Sequence, residues 1–224
     1  YAISAATVPL YDTLGEDTVS YVINHTRMQT CLCSSLELPR LCEVASKCPS
    51  LQTILLKGGS ITNRELAMCR KVKLNVMTFD ELAKVGDAFP HEYVVPNDDS
   101  LATFCYTSGT TGDPKGALIT HRNIVSVAAS ALNSCFDIRY DDYYLSFLPL
   151  PHIFERMVVS ALLSCGSAIG FFRGDPLKLI EDCIALRPSI FCAVPRVLNK
   201  IHDKIESGMV STPGAKGYMF QLAM

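Results

Sequence analysis

Short apolar runs alternate with capped, amphipathic segments along almost the whole chain, and that alternation most narrows what it can fold into. Ala2 to Leu10 reads as a strand that enters a loop at Pro9. After a turn at Tyr11 to Gly15, Val19, Val22 and Ile23 recur at helical spacing behind Glu16 and Asp17, acids that suit a helix N-terminus. Met28 to Cys33 and Leu51 to Leu56 read as strands, the second halted by Gly58-Gly59. Three pairs match the capping box: Ser34 with Glu37, Thr62 with Glu65, and Thr78 with Glu81. The first predicts a helix to about Cys48, with Pro39 in its first turn. Asp87 to Ser100 holds two prolines and four acids and reads as a surface linker.

The pattern continues in the second half. Leu101 to Tyr106, Ala117 to Thr120, Tyr143 to Leu148, Ala168 to Phe172 and Ser189 to Val194 are strand-like. Ile124 to Phe136 is free of charge and predicts a helix buried on most sides, and Ile153 to Cys165 predicts another. Asp175-Pro176 opens a helix with Leu177, Ile180 and Ile184 on one face. Val197, Ile201 and Ile205 make an amphipathic helix after Pro195, and Gly208 to Gly217 is a turn-rich tail. The sum is an α/β fold with a largely parallel sheet flanked by helices.

Composition narrows the function classes. Apolar residues make up 49%, charged residues 19%, and the net charge is -2. That is a globular profile, and the near-neutral charge without a basic run gives no support for nucleic-acid binding. The ten cysteines form no CxxC pair and mostly sit in apolar runs. They read as reduced, buried thiols, which favours an intracellular setting. Met157 to Phe172 is uncharged, but its 16 residues fall short of a membrane span, which needs about 20. The start at Tyr1 and the end at Met224, inside an apolar stretch, read as cuts through a larger protein.

Two stretches carry chemistry. The first is Tyr106-Thr107-Ser108-Gly109-Thr110-Thr111-Gly112-Asp113-Pro114-Lys115-Gly116, set between two strand-like runs. Glycines let backbone approach a ligand, successive N–H groups form a concave anion site, and hydroxyls and a lysine add donors. On composition alone it is a surface hairpin with a solvated lysine. It is not the GxxxxGK[ST] loop, because Lys115 precedes the last glycine and a strand follows. The second stretch is Leu148-Pro149-Leu150-Pro151-His152-Ile153-Phe154-Glu155-Arg156. Its prolines place His152 at a strand-to-helix junction, where ligands sit in open α/β sheets. On the residues alone His152 reads as structural, and Glu155 and Arg156 as a surface pair.

The first string resembles the phosphate-binding signature of the acyl-adenylate-forming, or AMP-binding, enzymes. Its continuation Ala117 to Val125, and the second string, look most like the long-chain fatty-acid–CoA ligases. The resemblance implies that this chain is an interior part of the large N-terminal domain, residues 1–224, without the small C-terminal domain and its catalytic lysine. It also leaves outside the chain the adenine-binding segments and a second magnesium ligand. It implies ATP, Mg²⁺ and CoA as cofactor and substrates, with a fatty acid activated through an acyl-adenylate. Thr107, Ser108, Gly109, Thr110, Thr111, Gly112, Lys115 and Gly116 would bind phosphates, Thr107 would hold the metal, and Lys115 and His152 would be catalytic. This segment alone is expected to give no turnover. The resemblance is compatible with peripheral membrane association, a homodimer, and a cytoplasmic location or one on the cytoplasmic face of an organelle membrane such as the endoplasmic reticulum. Another acyl- or aryl-adenylate former, or a non-catalytic nucleotide-binding scaffold, is the alternative.

Overall fold

The computed structural model describes residues 3–11, 15–107, 114–133 and 137–210. The chain divides into two units, residues 1–126 and 127–224.

In the first unit, α1 (Glu16–Thr26), β1 (Thr30–Cys33), α2 (Leu38–Val44), β2 (Thr53–Leu56), α3 (Asn63–Lys71), β3 (Asn75–Thr78) and α4 (Phe79–Ala88) follow in order. The three strands pair in parallel as β1-β2-β3, with Cys31, Ile54 and Val76 in register. Parallel pairing requires a crossover between strands, and α2 and α3 supply them. Ile23, Leu38, Val44, Cys48, Ile54 and Cys69 are buried together in one core. The chain then runs through β4 (Leu101–Thr107) and β5 (Lys115–Thr120) into α5 (His121–Leu132), within which the unit boundary falls.

The two later capping boxes form as expected. Thr62 and Thr78 each accept from the backbone N–H of Glu65 and Glu81, whose carboxylates reach back to the cap N–H. The first pair closes one turn too early. Glu37 accepts from the Ser34 N–H at 3.0 Å, but this shapes a turn, and α2 begins only at Leu38 with Pro39 in its first turn. Of the strand expected over Ala2 to Leu10, the described part from Ile3 is not continuous: it makes two single bridges, Ile3 to Val94 and Thr7 to Thr103.

The second unit contains β6 (Tyr143–Ser146), α6 (Ile153–Cys165), β7 (Ala168–Phe171), α7 (Leu179–Leu186) and α8 (Pro195–Val210). β6 and β7 are parallel, with α6 as their crossover. Gly166 ends α6 in the left-handed region at φ 82°, which glycine tolerates without strain. Among the described residues no helix is long and apolar enough to cross a membrane.

Three expectations fail here. In α5 only Ala128 is buried, while Val125 and Val127 are exposed, because lack of charge in a run of small residues does not by itself create a buried face. Asp175 caps as expected, accepting from the Leu177 N–H at 2.9 Å, but it opens only a tight turn; the α-helix starts at Leu179, and Leu177 and Ile184 are 84% and 68% exposed. Ser189 to Val194 makes a single bridge, Ile190 to Tyr144, instead of a strand.

Candidate active site

β4 and β5 are the one antiparallel pair among the described strands. Their register puts Tyr106 opposite Gly116 and Thr107 opposite Lys115. Residues directly opposite in an antiparallel ladder project to the same face, and successive residues alternate. Thr107 and Lys115 therefore share one face at the last rung of the ladder, and both are exposed. Tyr106 and Gly116 share the other.

That second face is pinned. Tyr106 is buried, and its hydroxyl shares a hydrogen bond of 2.9 Å with His25 Nδ1 on α1. The His25 ring also lies against Tyr21, with centroids 5.3 Å apart. Burial raises the Tyr106 pKa, so the phenol stays protonated at neutral pH. A Cβ added at Gly116 would lie 3.0 Å from Tyr106 Cζ. The glycine thus lets the Tyr106 ring cross β5 and tie the hairpin to α1. Gly116→Ala should cost about 1–3 kcal/mol, because a ring held at its tip yields poorly. Urea unfolding of the full-length protein measures this, and an unchanged midpoint would show that the ring gives way. His25, which carried no partner pattern in the sequence, is the residue missed here; nothing local to it signals a contact 81 residues away.

Ser108, Gly109, Thr110, Thr111 and Gly112 lie outside the described residues. Of the remaining hairpin residues, Thr107 and Lys115 come together on one face, and Gly116 lies on the other.

His152 belongs to the second unit and is the N-cap of α6. Its own N–H donates to Pro149 O at 2.9 Å, and its Nδ1 accepts from the Phe154 N–H at 3.3 Å. With Nδ1 an acceptor, the neutral ring carries its proton on Nε2, which makes Nε2–H a donor. Glu155 is no surface residue: it is 0% exposed. Its Oε1 accepts from Ser146 Oγ at 2.5 Å and its Oε2 from the Tyr144 hydroxyl at 2.6 Å. Burial, then this carboxylate, drive the Tyr144 pKa up. The sequence signal was an acid at the third position of a helix whose strand partner carries Tyr and Ser.

The cysteines behave as structural thiols. Among the described residues all are free. Burial pushes Cys31 up to about 11 and Cys33 and Cys69 up to about 12, so they are protonated and poor nucleophiles.

Residues 1–218 match the family model described as AMP-binding enzyme. The chain is 39% identical to "Long chain acyl-CoA synthetase 7, peroxisomal" of Arabidopsis thaliana, across 99% of this chain and 31% of that protein. It is 37% identical to "Long-chain-fatty-acid--CoA ligase 5" of Rattus norvegicus, across 100% of this chain and 33% of that one. The chain thus spans about a third of the length of these curated relatives. In fold it is similar to the A domain of carboxylic acid reductase from Segniliparus rugosus, with TM-score 0.75 and 23% identity over 95% of this chain and 37% of that one. A long-chain-fatty-acid-CoA ligase (FadD1) from Archaeoglobus fulgidus gives TM-score 0.69 at 22% identity, over 89% of this chain and 37% of that one. With the hairpin, the capped histidine and a family match that covers nearly every residue, the chain belongs to the AMP-binding enzyme family.

Proposed function

We propose that the full-length protein is a long-chain fatty-acid–CoA ligase, and that residues 1–224 form part of its N-terminal, adenylate-forming domain. It joins a fatty carboxylate to the α-phosphate of ATP, releases pyrophosphate, and then passes the acyl group to the CoA thiol with release of AMP. The observation that carries this reading is the rung of Thr107 and Lys115 on one exposed face. A hydroxyl and an ammonium side by side on the last rung of a ladder are a donor set that fits a polyphosphate. The names of the two relatives support the fatty-acid branch.

A carboxylate is a poor electrophile toward a thiol, so activation must come first. Negative charge grows on the phosphate oxygens as pyrophosphate departs, and donors fixed in advance stabilise it. Lys115 neutralises that charge as a point cation, and Thr107, Ser108, Gly109, Thr110, Thr111, Gly112 and Gly116 cradle the phosphates. Thr107 would hold Mg²⁺ through its hydroxyl; the ion is hard, keeps several waters, and would supply charge neutralisation at the phosphates. His152 Nε2–H donates to the acid's carboxylate oxygen. Peripheral membrane association, a homodimer and a location on the cytoplasmic face of an organelle membrane belong to the same proposal.

Pyrophosphate exchange across an acid panel tests it. The full-length protein should exchange pyrophosphate into ATP only with acid present, most strongly with long-chain fatty acids, and residues 1–224 alone should not. A preference for aryl or amino acids would reassign the substrate class, and no exchange with any acid would favour a nucleotide-binding scaffold.

A further inference from the structure

Resting on the role given to His152, we infer that Glu155 is a positioning residue for adenylation: its carboxylate staples the strand entering the His152 loop to the helix leaving it.

The loop between β6 and α6 is Phe147-Leu148-Pro149-Leu150-Pro151-His152. Its two prolines lack the N–H that would anchor backbone, so the loop depends on how its ends are held. Ser146 is the last residue of β6 and Glu155 the third of α6. Their 2.5 Å hydrogen bond spans the loop at its base, and the Tyr144 bond at 2.6 Å fixes the other carboxylate oxygen. All three side chains are buried.

An acid at this helix position has an ordinary use, which α3 and α4 display: Glu65 and Glu81 turn back to the N-cap N–H. In α6 that N–H goes to Pro149 O instead, and Glu155 turns inward. Withdrawing a carboxylate from water is costly unless strong donors meet both oxygens. Here they do, and what the pair of bonds holds is the first turn of α6. That turn carries the Phe154 N–H on which the His152 ring is capped. Loosening the staple therefore frees the imidazole to exchange its two tautomers and to lose Nε2–H as a fixed donor.

The test uses the full-length protein and its Glu155→Gln, Glu155→Asp and Ser146→Ala variants. Gln keeps the reach of Glu but not the second acceptor; Asp keeps the charge but is one methylene too short. Positioning predicts that exchange kcat falls about tenfold for Gln and about a hundredfold for Asp, with an intermediate loss for Ser146→Ala. KM for ATP should stay within about twofold, since Glu155 is not one of the proposed phosphate donors. Circular dichroism melts set the folded fraction to which each kcat is referred. Asp outperforming Gln, or wild-type kcat per folded molecule in all three, would overturn the inference. Nitrogen-15 spectra of the His152 ring read the staple without activity: one Nε2–H tautomer in the wild type and a mixture in the variants. An unchanged tautomer in every variant sinks the staple whatever exchange shows. A wild type without exchange but with that tautomer shift in the variants sinks the adenylation reading alone.

Discussion

Lys115→Ala in the full-length protein should slow acid-dependent pyrophosphate exchange by about a hundredfold or more, the usual cost of removing one preorganised donor from a developing oxyanion. The loss should fall on kcat/KM for ATP and pyrophosphate, with little change in the melting temperature. The reason is the residue's place: Lys115 is exposed at the first position of β5, and its partner across the ladder, Thr107, is exposed too. No core packing departs with the side chain. Arginine should rescue only in part, because a planar fork cannot occupy the site of a compact ammonium. Exchange at the wild-type rate in the alanine variant would remove Lys115 from the chemistry and leave it a solvated loop lysine.

The second large effect concerns stability. Ile54→Ala should cost about 3 kcal/mol, read as a lowered urea midpoint with unchanged slope. Ile54 is fully buried on the central strand of the three-stranded sheet, with Cys31 and Val76 beside it in register. A sheet flanked by crossover helices collapses poorly around a missing side chain, so the cavity persists. A loss under about 1 kcal/mol would mean that the helices above the sheet settle into the space, against the close packing of the core.

Local signals in the chain predicted local structure well. Ile153 to Cys165 is a helix with those very bounds, and the boxes at Thr62 and Thr78 close as written. Each of those signals lies within a turn or two of the structure it specifies. β3 was not foreseen, because Asn75-Val76-Met77-Thr78 is too short and mixed to alternate; only the cap at its last residue hinted that something extended came before. Burial was the least legible property. The uncharged α5 is largely exposed, whereas the charged Glu155 is fully enclosed. Whether a side chain meets water depends on what other segments bring to it, and neighbours such as Tyr144 for Glu155 or His25 for Tyr106 are set by topology. The hairpin's two strands were readable from the apolar runs on either side of its ordered string, but the pairing of Thr107 with Lys115 needed the register.

The tyrosine crossing over Gly116 makes the ladder a parity device. A residue gained or lost within β5 would turn the ammonium inward toward α1 and push the next side chain outward, because a strand's side chains alternate sides. The same arithmetic warns an engineer that trimming this hairpin by one residue at its strand would exchange the sides of two otherwise intact residues.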